Sequence, residues 1–148
     1  MQTELLGSFI KHRTERNWVT WSGRIEGETK KRLLKKADDD AASSERSLAP
    51  GHYLDAAIRR VSNLSPEELA ALANGWLIDT WSGEHPPGVS LQAGVSPDVA
   101  AFLKALKRTM RGQRGDGSGG LILDVVSAAV DQFLDAVDEE GTFPAARQ

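Results

Sequence analysis

Two short stretches of alternating apolar and polar residues most constrain how this chain can fold. They are "VTWSGRI" (residues 19–25) and "VSLQAGV" (residues 89–95), which have equal length and share the same phase. Alternation with a period of two is typical of a strand with one face on a core and the other toward water or a partner. Strands this short are not stable alone, so we expect the two to pair antiparallel over a shared helical core.

Two helical segments follow each alternating stretch. After the first come "EGETKKRLLKKADDD" and "HYLDAAIRRVSNL", and after the second come "SPDVAAFLKALKRTMRG" and "LILDVVSAAVDQFLDAV". The two copies can be aligned with each other in two ways. The first, which we call the strand alignment, matches Val19 with Val89. A second, the helix alignment, matches "YLDAAIRRV" with "VVSAAVDQF" and is shifted from the first by two positions. Because a two-residue shift in a loop costs little free energy, the common order indicates an internal repeat.

Residues that favour helix starts and turns mark the remaining boundaries. Ser65 before Pro66 and Ser96 before Pro97 are typical of helix N-caps, and the first pair begins a helix between the two copies. The "DDD" at 38–40 lacks the spacing of a calcium loop and is predicted to be a solvated loop. The "GDGSGG" at 115–120 follows a basic helix rather than a buried strand, which favours a simple connection over a nucleotide loop.

Composition limits the range of functions. The chain has 148 residues, no cysteine and no apolar run as long as a membrane helix, so we expect a cytoplasmic protein without disulfides. Its three histidines are scattered without metal-ligand spacing, and no nucleophile–base arrangement is visible. We therefore predict no cofactor, no metal, no membrane partner and no enzymatic activity.

The charges are divided unevenly along the chain, although the net charge is only −3. Residues 1–36 hold nine Lys/Arg against four acids, and residues 98–114 hold five against one. Because affinity for DNA follows the local surface rather than the total charge, these two basic segments are compatible with a DNA-binding protein. They are equally compatible with a solvated helix face or with a surface for an acidic partner protein.

The order strand, helix, turn, helix, present twice, resembles the ribbon–helix–helix DNA-binding proteins. The resemblance rests on the alternations "TxSxR" and "SxQxG", on the "V-S-P-D-V" step from strand into helix, and on "LDAAIRR" in the second helix. Two copies in one chain are similar to the single-chain tandem (TraY-like) members, which fold as pseudo-dimers. The fold that this implies is mostly α with a short two-stranded antiparallel ribbon, although both loops between helices are longer than the family's usual ones.

The resemblance implies that the ribbon enters the major groove and that its outward side chains read base edges. The residues in that position are Thr20, Ser22 and Arg24 in the first copy and Ser90 and Gln92 in the second. The second helix of each unit would direct its N-terminal amides at phosphate. The residues there are Gly51 and His52, and Ser118, Gly119 and Gly120. In the second copy, Gly94 stands where a side chain would reach DNA.

These expectations define an organisation and a function. Residues 1–16 are a basic N-terminal arm or short helix, 17–62 the first ribbon–helix–helix unit, 63–88 a linker helix and turn, 89–137 the second unit and 138–148 a tail. The predicted function is sequence-specific binding of double-stranded DNA by an internally pseudo-dimeric monomer. The processes consistent with it are plasmid or mobile-element DNA processing (conjugative transfer or partition) and transcriptional repression, with a relaxase or partition ATPase as a protein partner. The alternative is a small α+β protein-interaction module that binds an acidic partner.

Overall fold

The protein is mostly helical and contains one two-stranded antiparallel sheet, as the sequence predicted. The computed structural model describes residues 17–45, 48–111, 113 and 119–140. Within these residues the elements are β1 (Val19–Glu26), α1 (Gly27–Ser44), α2 (Pro50–Val61), α3 (Pro66–Trp81), β2 (Gly88–Val95), α4 (Pro97–Thr109) and α5 (Gly119–Glu140). None of these helices, in the part of the chain described, is long and apolar enough to cross a membrane.

β1 and β2 pair along their whole length and form the ribbon. Val19 lies opposite Val95 at one end, and Glu26 lies opposite Gly88 at the other. The apolar positions of the alternation face the helices, so that most of the inward side chains of β2 and Ile25 of β1 are buried. The predicted antiparallel pairing is therefore confirmed, and the apolar inward face is confirmed except at Val19 and Val89, which are exposed near opposite ends of the ribbon.

The apolar stripes of the helices form the core beneath the ribbon. In α1, Leu33 is fully buried whereas the neighbouring Leu34 is 37% exposed. In α4, Phe102 is partly buried against the same core. The apolar residues that recur at helical spacing and are buried in α2, α4 and α5 include Leu54, Ala57, Ile58, Val61, Val99, Leu103, Leu106, Val126, Ala129, Val130, Phe133 and Val137.

The acidic stretch at 38–40 is helical, and the predicted loop there is wrong. These residues lie inside α1, which continues to Ser44. Asp40 is buried, accepts a hydrogen bond from the Tyr53 hydroxyl at 2.5 Å and pairs with Lys36 at 3.1 Å. Burial and the hydrogen bond to Asp40 raise the pKa of Tyr53. Because the carboxylate has two partners, it can be buried and the helix continues past the sequence that favoured a loop.

The helices α3 and α4 begin at the predicted residues. Ser65 caps α3, since its Oγ accepts from the Glu68 backbone N–H at 3.1 Å while the Glu68 carboxylate accepts from the Ser65 N–H at 2.9 Å. Ser96 occupies the N-cap of α4, but its side chain makes no cap hydrogen bond. α5 continues to Glu140, beyond the predicted boundary at 137, while residues 1–16 and 141–148 lie outside the described residues.

The elements recur at a nearly constant spacing. The strands begin at positions 19 and 88, the helices that follow them at 27 and 97, and the next helices at 50 and 119. We call β1, α1 and α2 the first unit, and β2, α4 and α5 the second unit. The second helix of each unit packs on the strand of the other, because α2 contacts β2 and α5 contacts β1.

Two buried hydrogen-bonded contacts fix this exchange between the units. Asp55 in α2 accepts from the backbone N–H of Ser96 at 2.8 Å and from its hydroxyl at 2.7 Å. Ser127 in α5 accepts from the backbone N–H of Glu26 at 3.0 Å. Ser96 and Glu26 are the N-cap residues of α4 and α1. The helix alignment also matches Asp55 with Ser127. Asp55 of the first unit therefore contacts the start of α4 in the second unit, and Ser127 of the second unit contacts the start of α1 in the first.

Candidate nucleic-acid interface

The five side chains predicted to read bases lie together on the outward face of the ribbon. Ser22 is opposite Gln92 at the centre, and Arg24 is opposite Ser90 near one end. Thr20 is opposite Gly94 near the other end. All six residues are exposed. The pairing thus gathers residues from two separate stretches of the chain into one polar strip, three cross-strand pairs long.

We call the end of the ribbon where Arg24 pairs with Ser90 the Arg24 end. Two cations there donate hydrogen bonds to backbone carbonyls. The Arg24 guanidinium donates a hydrogen bond to the Gly88 carbonyl at 2.5 Å. Lys30, in the first turn of α1, donates from Nζ to the Ser90 carbonyl at 2.7 Å. A guanidinium carries five N–H donors, so this single hydrogen bond leaves Arg24 donors for a ligand.

We call the opposite end, where Thr20 pairs with Gly94, the Gly94 end. Here the backbone of α2 packs closely against the backbone of β2. The start of α2 lies directly against β2, since a Cβ on Gly51 would come within 2.0 Å of the Gly94 carbonyl oxygen. Glycine is needed at position 51 for this approach. The rings of Trp18 and His52 lie beside it, with centroids 5.2 Å apart and planes tilted by 53°.

A groove of about 610 Å³ runs beside β1. Its wall on the strand side is formed by residues 19–24, and its far wall by Ala100, Leu103 and Lys104 of α4 together with Ile122 of α5. The groove therefore leaves space alongside the strand that carries Thr20, Ser22 and Arg24. Trp21 lines it as well, and its indole lies over Gly23, where a Cβ would come within 2.1 Å of the ring.

The residues predicted to bind phosphate lie at the starts of α2 and α5. Gly51 is buried against β2, and His52 is half-buried with its Nδ1 accepting from the Ala49 backbone N–H at 3.1 Å. Gly119 is the first residue of α5, and Gly120 is exposed beside the ring of His85. Ser118 lies outside the described residues. The start of α2 thus lies at the Gly94 end of the ribbon. The start of α5 lies at the opposite end, where the Leu123 side chain is close to Gly88.

The basic residues of α1 are largely paired with acids of the same chain. Arg32 donates to Asp135 at 2.7 Å and to Asp138 at 3.0 Å. Lys36 pairs with Asp40 and Asp138, and exposed pairs join Lys31 to Glu28 and Lys35 to Asp39. Four of the six cations described between residues 17 and 36 are therefore balanced by carboxylates of α1 itself and of α5.

A half-buried carboxylate links this charged region to α3. Asp131 accepts hydrogen bonds from the Trp76 indole N–H at 2.7 Å and from the Thr29 hydroxyl at 3.1 Å. Arg32 lies 3.6 Å away. Burial raises the pKa of Asp131, and this effect exceeds the opposing effects of the Trp76 and Thr29 hydrogen bonds and of the Arg32 charge.

The cations of α4 are in a different environment. Lys104, Lys107 and Arg108 are exposed, and no carboxylate of the residues described in the structure lies within salt-bridge distance of them. Lys104 lines the groove beside β1. Among the same described residues, no cluster of three His, Cys, Asp or Glu side chains that could hold a metal ion occurs.

Lys30, Asp55 and Ser127 are important to this geometry but were not singled out in the sequence. For Lys30 a signal exists: a cation in the first turn of a helix is disfavoured by the helix dipole, so its presence indicates another partner. Asp55 and Ser127 have only a weak signal. Each is a polar residue within an apolar stretch, and its partner lies 41 or 101 residues away in the sequence.

Comparison of the chain with protein-family models, curated proteins and solved structures returned no match.

Proposed function

We propose that the protein binds double-stranded DNA sequence-specifically by inserting the ribbon into the major groove. The observation that supports this most is the register of the ribbon. It brings Arg24 opposite Ser90 and Ser22 opposite Gln92, all of them exposed on one face. A two-stranded ribbon fits the major groove of B-DNA, where each base pair presents a distinct pattern of donors and acceptors.

The architecture that we propose is a tandem ribbon–helix–helix pseudo-dimer in one chain. The nearly constant spacing between corresponding elements of the two units supports it. So do the reciprocal contacts, in which Asp55 of the first unit holds the start of α4 while Ser127 of the second unit holds the start of α1. Ser22 lies opposite Gln92, its own counterpart in the strand alignment, as an approximate two-fold axis through the ribbon would require.

The side chains on the outward face have the chemistry for reading bases. Arg24 can donate two hydrogen bonds to O6 and N7 of guanine, and Gln92 can bond to N6 and N7 of adenine. Thr20, Ser22 and Ser90 can donate to or accept from either base type. One good bidentate contact discriminates against the wrong base by about 1–3 kcal/mol.

The charge of the surface around the ribbon complements this role. Arg24 and Lys30 lie at one end, and Lys104 lines the groove beside β1. Each phosphate that such a cation neutralises releases counterions and makes the affinity fall with increasing salt. The starts of α2 and α5, at Gly51, His52, Gly119 and Gly120, are the positions from which backbone amides would contact phosphate.

We further propose that the protein acts in the cytoplasm as an internally pseudo-dimeric monomer, because its two strands complete the ribbon without a second chain. The tandem arrangement favours plasmid or mobile-element DNA processing, in conjugative transfer or partition, with transcriptional repression as the other process. A relaxase or a partition ATPase is the protein partner that these processes imply. Sedimentation should give the mass of one chain, and an obligate tight dimer would contradict the intramolecular ribbon.

The alternative function, binding of an acidic protein through the basic segments, has less support. Arg32, Lys35 and Lys36 of α1 already pair with carboxylates of this chain. An acidic partner would have to displace those carboxylates or bind the remaining cations, among them Arg24, Lys30 and those of α4.

The test of the proposal is selection of bound fragments from the source organism's own DNA at about 0.15 M salt, an ionic strength that suppresses much of the purely electrostatic binding. We expect one enriched sequence, and its genomic neighbourhood will distinguish transfer, partition and repression. Equal recovery of all fragments would contradict the proposal.

A triple variant tests whether the ribbon reads the site. T20A/S22A/R24A should lose preference for the selected sequence, by roughly 5- to 150-fold from the Arg24 contact alone, and keep weaker salt-dependent binding. The matched control is R60A/S62A/T80A, which removes the same three residue types from exposed positions on α2, after α2 and on α3. Unchanged preference in the ribbon variant, or equal loss in the control, would contradict reading by the ribbon.

A further inference from the structure

The register of the ribbon relates each position at one end to a position at the other. Because Ser22 faces Gln92, residues that the strand alignment matches occupy equivalent places at opposite ends. Arg24 therefore corresponds to Gly94, and Thr20 corresponds to Ser90. On the helices that follow the strands, Lys30 corresponds to Ala100.

The two ends differ most at these corresponding positions. The Arg24 end has a guanidinium on the outward face and a lysine that bonds to the carbonyl of Ser90. The Gly94 end has no side chain at the equivalent strand position and a methyl group, Ala100, in place of the lysine. Lys104 lines the groove on that side, but from α4 rather than from the outward face of the ribbon.

The glycine at position 94 is not required by the fold. A Cβ built there meets no atom within 4 Å, and its φ lies outside the left-handed range that favours glycine. Gly51 differs in this respect, since a Cβ at position 51 would collide with the Gly94 backbone. Among the described residues, the lack of a side chain at position 94 thus has no steric cause, since a Cβ there would meet open space.

We infer that the DNA site is asymmetric, with base-specific contacts beneath Arg24, Ser90, Ser22 and Gln92 at the centre and the Arg24 end, and only the hydroxyl of Thr20 to read bases at the Gly94 end. This inference rests on the proposed function. A guanine recognised by Arg24 would then occur on one side of the central base pairs without an equivalent on the other side. The protein would bind its site in a single orientation, in contrast to a symmetric dimer on a palindrome.

The first experiment is selection from a randomised duplex library with the full chain, at about 0.15 M salt. The unmodified protein should yield a non-palindromic sequence with a strongly preferred guanine on one side only. R24G should lose that preference by roughly 5- to 150-fold, the range of one bidentate arginine–guanine contact. A palindromic selected site would overturn the inference while leaving the proposed function intact. Failure to select any site would overturn the proposed function itself.

The second experiment restores a symmetric ribbon. G94R should enrich a second guanine at the symmetry-related position and raise preference for a palindromic duplex over the original site by a similar factor. R24G/G94R should move the guanine to the opposite side of the central base pairs. Circular dichroism and thermal unfolding will show that the variants are folded. A folded G94R that selects no second guanine would overturn the inference, because position 94 would then not face the bases.

Discussion

The two units of this chain make the same contacts with different chemistry. At the start of α4, the buried carboxylate of Asp55 accepts from Ser96 and from Arg59, whose Nε lies 3.0 Å away. At the start of α1, the neutral hydroxyl of Ser127 accepts from the Glu26 N–H. The acceptor at the first of these contacts is therefore a charged carboxylate, and the acceptor at the second is a neutral hydroxyl. The contact that orients each helix is retained although the residues that make it differ.

The next helical turn shows the same divergence. Arg59 and Asp131 are matched by the helix alignment, and they carry opposite charges. Arg59 donates to Ser96 at 2.6 Å and lies 3.5 Å from Asp98, whereas Asp131 accepts from Thr29 and Trp76. Both residues contact the first turn of a helix in the other unit. Topology constrains where these side chains lie, but not which charge they carry, so the two ends of the ribbon can differ as well.

The largest expected effect distinguishes the Asp55 and Ser127 contacts. D55A removes the acceptor of a buried backbone N–H and the carboxylate nearest to the Arg59 guanidinium, and it should lower the free energy of unfolding by roughly 3–5 kcal/mol. S127A removes a neutral acceptor and should cost roughly 1–3 kcal/mol. Urea denaturation of both variants, with D55N as the control that keeps an acceptor, measures the difference. Equal losses in D55A and S127A would show that the charge adds nothing at the Asp55 contact.

The two glycines that meet at the Gly94 end provide the second comparison. G51A should lower the free energy of unfolding by roughly 1–3 kcal/mol, because the new Cβ collides with the backbone of β2. G94A should change it by less than about 0.5 kcal/mol, since its Cβ points into open space. Midpoints of urea unfolding for the two variants measure the contrast. A G51A protein as stable as G94A would contradict the close packing of α2 on the ribbon.

The smallest expected effect concerns how the free energy of unfolding depends on pH through Asp131, the acidic member of the pair Arg59 and Asp131. Burial raises the pKa of Asp131 in the folded protein, so the unfolded chain loses this proton at lower pH than the folded one. The contribution of Asp131 to stability is therefore present below about pH 4, its ordinary pKa, and falls as pH rises through the raised value. D131N does not titrate and keeps an oxygen acceptor for Trp76 and Thr29.

The stability of D131N relative to the unmodified protein should accordingly increase as the pH is raised from about 4.5 to 7.5. Urea denaturation at several pH values in this range measures the difference. R59A, which changes the position that corresponds to Asp131 in the first unit, provides the contrast for this pH series. A difference between D131N and the unmodified protein that stays constant or decreases with pH would contradict the raised pKa.

Much of the fold could be predicted because its signals are local. The alternations at 19–25 and 89–95 identified both strands, and equal phase and length made their antiparallel pairing the natural way to bury one face. The capping box at Ser65 and the Ser-Pro step at 96–97 located the starts of α3 and α4. Each of these signals lies within a few residues of the feature that it predicts.

The features that were missed depend on partners distant in the sequence. Asp40 is helical and buried because Tyr53 and Lys36 satisfy its carboxylate, whereas the local "DDD" favours a loop. The basic stripe of α1 looked available to a ligand, but the acids that balance Arg32 lie in α5, the last helix of the described chain. Charge along the sequence therefore overstated the positive surface near β1, and only the folded arrangement distinguishes paired from unpaired cations.

The exchange of contacts between the units has a consequence for synthesis on the ribosome. β1 ends at Glu26, and the strand that pairs with it begins at Gly88. At an elongation rate of about 5–20 residues per second, β1 waits roughly 3–12 s for its partner to be made. A nascent strand with unpaired edges is prone to aggregate, and polar or charged side chains on it oppose this. Thr20, Ser22 and Arg24 would thus protect the growing chain while its partner strand is still being made.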